Sequence, residues 1–389
     1  MKKRLFLSSL LAVCVASVVQ AGDTTHVDKI TGPLSSNITG DVDTNYVNVG
    51  SGYVTIPGSL IINSNYPTAT ENCWVKAGAT LEATSITFNS QTKFNLETMT
   101  GWESKFTIRG TIKTDSIIVS AEEGCEAELF ISYGKLESLT SGTTGTIQVG
   151  ANSLFNLMGP TAKYQASVGL NTVVDGGALV VQGYSSMSGI TLESGTATIK
   201  KGAIGDLGDI TMNGGSFSLE EAAITSDITM TSGTLQFLGD SQTGDLTLNG
   251  GAIYFGEDLT AAAVGLASND GVTTVTTGAL TLNSGTIFIA DNYVINLGNE
   301  DLILSDNVAI TMNVASLDNI EGVELFKTTG NVAGLDKLSV TLVDSTGATM
   351  ETSASYSNGS VVTALIPEPT TATLSLLALA GLAARRRRK

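Results

Sequence analysis

Three aspartates are the residues whose type and spacing first suggest chemistry. Asp209, Asp227 and Asp245 each stand directly before an apolar–threonine–apolar triplet and directly after Gly208, Ser226 and Gly244. If those triplets stack as parallel strands, the carboxylates form a column with a spacing of about 4.8 Å. Like charges so placed repel unless water or a cation lies between them. Asp is a good turn residue that needs only solvent, and this is the favoured reading. Hard oxygen ligands in a row also suit calcium, so Ca2+ stays open as a cofactor, and no other is implied.

Other reactive groups are sparse. His26 is the single histidine and lies near the N-terminus, where chains are usually mobile. The doublets Glu122-Glu123, Glu220-Glu221, Glu257-Asp258 and Glu300-Asp301 would point to opposite faces of a strand, which suits solvated charge better than a general acid and base. There is no nucleophile elbow, no phosphate-binding glycine loop and no histidine-containing metal motif. The chain reads as a non-enzyme. A second column, Asn213, Asn249 and Asn283, precedes glycine-containing turns and suits a ladder of side-chain hydrogen bonds.

The elements that must hold these residues come from a repeat. ITLESG begins at Ile190, ITMNGG at Ile210, ITMTSG at Ile228, LTLNGG at Leu246 and LTLNSG at Leu280, with weaker copies at Thr172 and Val264. From Thr172 onward the starts fall 18, 20, 18, 18, 18 and 16 residues apart. Strand, glycine turn and second strand at such a period mark a solenoid whose coils bury a face only by stacking. With 43 Gly, 6% aromatic and 15% charged residues, the composition agrees. The fold class predicted is all-β: a right-handed parallel β-helix with a C-terminal cap and one short C-terminal transmembrane helix. The repeat lacks the glycine–aspartate nonapeptide of calcium-binding β-rolls.

Five segments follow: a signal peptide over 1–21, an irregular β-rich region over 22–170, the regular repeat over 171–310, a β cap and linker over 311–366, and a tail over 367–389. Over 22–170 a solenoid is expected, with a β-sandwich as the competitor. Cys73 and Cys125 would be the two cysteines left after signal cleavage, and an oxidising compartment suggests a disulfide between them. Against it stands geometry: three coils of 18 residues would separate them by about 14 Å, beyond the Cα separation of under about 7 Å that a bridge needs.

Both termini speak to location. Lys2, Lys3 and Arg4 precede an apolar run from Leu5 to Val18, and small residues end at Ala21, so cleavage by signal peptidase is expected between Ala21 and Gly22. Val13 before Cys14 argues against a lipoprotein. At the other end Pro367, Glu368 and Pro369 precede an uncharged stretch from Thr370 to Ala384 and then Arg385, Arg386, Arg387, Arg388 and Lys389. As a helix that stretch would span about 22 Å against a hydrocarbon core of about 30 Å, a marginal crossing. The cations would stay cytoplasmic and the body outside.

This tail resembles the PEP-CTERM sorting signal of Gram-negative envelope proteins, in which a Pro-Glu-Pro motif, a short transmembrane segment and an Arg-rich end follow one another. The resemblance implies recognition of Pro367, Glu368 and Pro369 by an exosortase-like enzyme, passage through the inner membrane, and delivery to the cell surface or extracellular matrix. The last strands resemble, in style only, the caps of autotransporter-type passenger domains.

The formal charge is −17, and without the signal cations, the terminal cations and Glu368 the body holds 12 basic against 36 acidic residues, or −24. Nucleic acid is therefore excluded as a partner. A structural or adhesive surface protein facing extracellular glycan or a neighbouring cell is the leading function. The alternative is an envelope-associated polysaccharide-active or polysaccharide-binding β-helix. For that, residues 172–290 offer only Lys200 and Lys201 as cations, with Tyr184, Phe217, Phe237, Tyr254, Phe255 and Phe288 as aromatics.

Overall fold

The structure is a computed structural model that describes residues 25–27, 30–31, 41–44, 47–64, 73–90, 104–123, 125–256, 272–318 and 320–364. Over these the chain is all-β with long parallel sheets, an arrangement compatible with a β-solenoid; the only described helical turn is the 3-10 turn Leu335–Lys337. Two compact units divide it: Met1–Leu235 with Ser241–Gly244, and Gln236–Asp240 with Asp245–Lys389.

In the first unit one parallel ladder climbs through Val42, Leu60, Ile86, Ile117, Ile147, Thr172, Ile190, Ile210 and Ile228. A second climbs through Val49, Val75, Ile108, Ile131, Leu157, Val181, Ile199 and Leu219. Inward positions are buried and outward ones are not, as alternation along a strand requires: Ile190, Leu192, Ile210, Met212, Ile228 and Met230 are all at most 2% exposed, while Thr191, Thr211 and Thr229 face outward. Each such Ile or Leu contributes about 1.5–3 kcal/mol, realised only when a coil lies above and below it.

The parallel pairing runs without a break through the irregular region, so the β-sandwich, an antiparallel architecture, is not what this segment forms. Its period looks irregular because its coils are longer. From Leu60 to Thr172 the steps are 26, 31, 30 and 25 residues, against 18 and 20 above Thr172. A third ladder runs through Val54, Leu81, Ile112, Leu136, Val168 and Met187, and the regular coils keep a shorter version of it, pairing Ile204 with Ala223 and Ala223 with Gln242.

The recurrent motif glycine has a steric cause. Gly195, Gly215, Gly233, Gly251 and Gly285 all have positive φ, from 70° to 121°. A Cβ on Gly215 would lie 2.6 Å from the Gly195 carbonyl oxygen, and one on Gly233 2.6 Å from that of Gly215. Those oxygens cannot retreat, because each accepts the next residue's N–H: Ser216 donates to Gly195 at 3.0 Å and Thr234 to Gly215 at 2.9 Å. At Gly195, Gly215, Gly233 and Gly285 backbone rests on backbone.

In the second unit the ladders run through Leu246, Leu280, Leu302 and Val332, and through Ile253, Ile287, Ile310 and Val340. Leu246 pairs directly with Leu280. The weak copy at Val264 falls within residues 257–271, which lie outside the described set. Parallel pairing then gives way to antiparallel. Leu338–Val343 pairs with Thr349–Ser357, which turns through Asn358 and Gly359, both at positive φ as a tight two-residue hairpin demands, into Ser360–Ala364. That last strand pairs with Glu324–Thr328.

No helix among the described residues is long and apolar enough to cross a membrane. The signal segment 1–21 with its cleavage pair Ala21 and Gly22, the motif Pro367, Glu368 and Pro369, the stretch 370–384 and the cations Arg385 to Lys389 lie outside the described residues.

Candidate functional site

The aspartate column is used on the backbone. In the second unit Asp245 Oδ1 accepts the N–H of Ala279 at 2.8 Å. Asp41 accepts from Ser59 at 2.8 Å in the first unit, and Asp301 from Asn331 at 2.7 Å in the second. In all three cases the carboxylate precedes a ladder residue and takes the N–H of the residue that precedes its partner one coil on. Asp209 and Asp227 occupy the same position in consecutive coils of the first unit, and a Cβ on Gly244 would come within 2.3 Å of Asp227 Oδ1. Asp41 and Asp301 escaped the sequence reading because their strands, VDT and LIL, lack the apolar–threonine–apolar signature.

Calcium takes six to eight oxygens about one centre. Among the described residues no group of three or more His, Cys, Asp or Glu side chains is arranged to hold a metal ion, and Asp41, Asp245 and Asp301 are turned toward backbone N–H groups.

Asp115 acts as a larger clasp. The hydroxyl and backbone N–H of Thr140, with the Ser138 hydroxyl at 2.7 Å, hold its carboxyl below the usual range. This contribution is present above the ordinary carboxylate pKa and is lost as pH falls through the lowered one.

The asparagine column is split between units. Asn283 donates to Asn249 Oδ1 at 2.7 Å, whereas Asn213 donates to Glu193 at 3.0 Å and accepts from Thr231 at 3.1 Å. The Glu220-Glu221 doublet is matched by Lys200, at 2.8 Å from Glu220, and by Lys201, which pairs with Glu221. The two cations of the regular repeat are thereby neutralised by side chains one coil on.

Cys73 and Cys125 are not brought together. Cys73 pairs in register with Phe106 and Phe106 with Leu129, so Cys125 lies two coils on and four residues back, and no disulfide joins them. Two steps span about 9.5 Å, which exceeds the reach of a bridge. The sequence estimate of three steps assumed 18-residue coils, and the coils here are longer. Burial pushes the Cys73 thiol up to about 12, against a weak contribution from the Val47 N–H at 3.4 Å. The stability this implies is present below the ordinary thiol pKa and is lost as pH rises from there toward the folded value. Native protein at pH 8 is expected to leave Cys73 unalkylated by iodoacetamide, and guanidinium-unfolded protein to label it fully, as read by peptide mass. Rapid native labelling at Cys73 would contradict the burial.

One constellation was invisible in the sequence. At a corner of the first unit Arg109 lies 5.3 Å from the Trp74 ring centroid and 5.7 Å from that of Tyr133. Tyr133 meets Tyr164 with ring centroids 5.7 Å apart and planes at 58°, and the Lys163 ammonium stands 5.4 Å over the Tyr164 ring. The strands Cys73–Val75, Ser104–Ile108, Ala127–Ser132 and Ser153–Gly159 are consecutive partners in one sheet; Trp74 lies on the first, Arg109 and Tyr133 directly follow the second and third, and Lys163 and Tyr164 come a few residues after the fourth. Lys76 and Arg109 hold equivalent positions one coil apart, each donating its backbone N–H to the coil before, to Val49 and Val75. Arg109, Lys76 and Lys163 are exposed, and among the described residues none of them forms an ion pair.

Comparison with protein-family models, curated proteins and solved structures finds no match to this chain.

Proposed function

We propose that this chain is an exported structural and adhesive protein of the cell surface or extracellular matrix. Its body is a right-handed β-helix closed by the antiparallel strands of residues 338–364 acting as a cap. Its tail, through Pro367, Glu368 and Pro369, is handed to an exosortase-like enzyme by way of a short membrane helix. The observation that carries the reading is the commitment of the polar turn residues to neighbouring coils: Asp41, Asp245 and Asp301 hold backbone N–H groups, and Asn249 and Asn283 hold each other. Such residues build a rigid scaffold whose outward threonines and serines remain for contact. The cation-bearing aromatic corner favours glycan as the thing contacted, and binding over cleavage.

The test compares the intact mass and location of the wild-type chain with those of Glu368→Ala in cells. The expected wild type has lost residues 1–21 and its arginine-rich end and is exposed at the surface, while the variant keeps Lys389 and stays in the inner membrane. If both keep Lys389 and remain membrane-bound, the tail is an anchor and the surface role fails.

A further inference from the structure

We propose that Trp74, Lys76, Arg109, Tyr133, Lys163 and Tyr164 form a binding platform for an acidic, carboxylate-bearing polysaccharide. This rests on the adhesive reading above and names its ligand class and site.

Four features point the same way. The first is the arrangement of rings. Trp74, Tyr133 and Tyr164 come from three of four consecutive coils, and Tyr164 is 50% exposed. Three coil steps span about 14 Å, so the platform matches several units of an extended polymer rather than one small molecule. Flat rings suit the apolar faces of sugars, because such side chains pair an apolar body with a polar edge at low entropic cost.

The second is charge. The chain carries −17, yet here three cations gather, including the sole arginine between residues 5 and 384. Lys76 and Arg109 are one coil apart at equivalent positions, an arrangement of like charges that an anion between them would relieve. A neutral glycan would need the rings but not these cations.

The third is the state of the guanidinium. Arg109 is held over two rings and makes no ion pair among the described residues. Stacking occupies the face of the guanidinium and leaves its N–H edges free, and those edges match a carboxylate with two parallel hydrogen bonds. Its contrast with Lys200 and Lys201, both matched by glutamates, is direct.

The fourth is backbone. Tyr133 sits at φ 53°, a left-handed conformation that a bulky aromatic residue rarely adopts. With an ordinary φ the ring would leave the position where it meets both Arg109 and Tyr164. Strain of this kind collects where a side chain must be aimed.

The test uses the full chain and its variants Arg109→Gln and Lys163→Gln, with polygalacturonate as the acidic probe and dextran as the neutral one, followed by calorimetry at low and high salt. Lys163 is exposed and outside the strands, so its variant folds even if Arg109→Gln does not. The wild type is expected to bind polygalacturonate and not dextran, more weakly at high salt. Each variant should lose affinity by about tenfold with an unchanged melting temperature, the size of one charge-assisted contact. Absence of binding by the wild type, equal binding of dextran, or unaltered affinity in both variants would overturn the platform. Surface display of Arg109→Gln on cells separates the two proposals. Normal display with lost binding supports both, whereas a wild type that binds polygalacturonate in solution but never reaches the surface leaves the platform standing and removes the adhesive role.

Discussion

Gly215→Ala is expected to destabilise the first unit by about 3 kcal/mol, the sum of a left-handed backbone and an overpacked contact. The added Cβ would meet the Gly195 carbonyl oxygen at 2.6 Å, with the Gly195 nitrogen at 3.2 Å behind it. That carbonyl is fixed by the Ser216 N–H at 3.0 Å, so relief requires breaking a rung of the ladder. Gly202→Ala is the control. Its φ of 74° is as unfavourable, but a Cβ there meets nothing within 4 Å. It should cost only about 1 kcal/mol. Urea unfolding of both variants decides the matter. Equal losses would mean that conformation alone accounts for the glycine, and that coils do not rest on one another as described.

Val361→Asp is expected to open the antiparallel end of the second unit and cause concentration-dependent self-association. Val361 is fully buried and stands between Phe326 on one side and Tyr356 on the other. An uncompensated carboxylate there costs several kcal/mol, about the destabilisation seen when a buried pair loses one partner. Release of the hairpin exposes the edges of Leu338–Val343 and Glu324–Thr328, and unpaired strand edges template pairing with other chains. Sedimentation across a concentration series should show assembly for Val361→Asp and wild-type behaviour for Thr349→Asp, whose side chain is exposed. A Val361→Asp chain that sediments as the wild type does would show that these strands are not what blunts the edge.

The two predictions share a physical basis with the question of what could be read in advance. In the regular repeat, the inward Ile and Leu, the outward Thr and the stacking glycine fall within six consecutive residues, so pattern and turn chemistry together imply the stacked parallel strands. The Asp positions were legible as turn residues for the same reason, being adjacent to the motif. Their partners were not, because the N–H that Asp245 accepts belongs to Ala279, 34 residues on.

The amino-acid sequence by itself determined the all-β class, the parallel repeat between Thr172 and Ile228, and the residues that turn each coil, because those signals are local and periodic. Tertiary structure alone decided which coil follows which. Leu246 pairs with Leu280, and Cys73 and Cys125 stand two coils apart, because coil length varies and periodicity cannot count through it. The corner of Trp74, Arg109, Tyr133 and Tyr164 is the extreme case. Its members are spaced by 35, 24 and 31 residues, which fits no period, and only stacking of unequal coils brings a lone arginine over two rings.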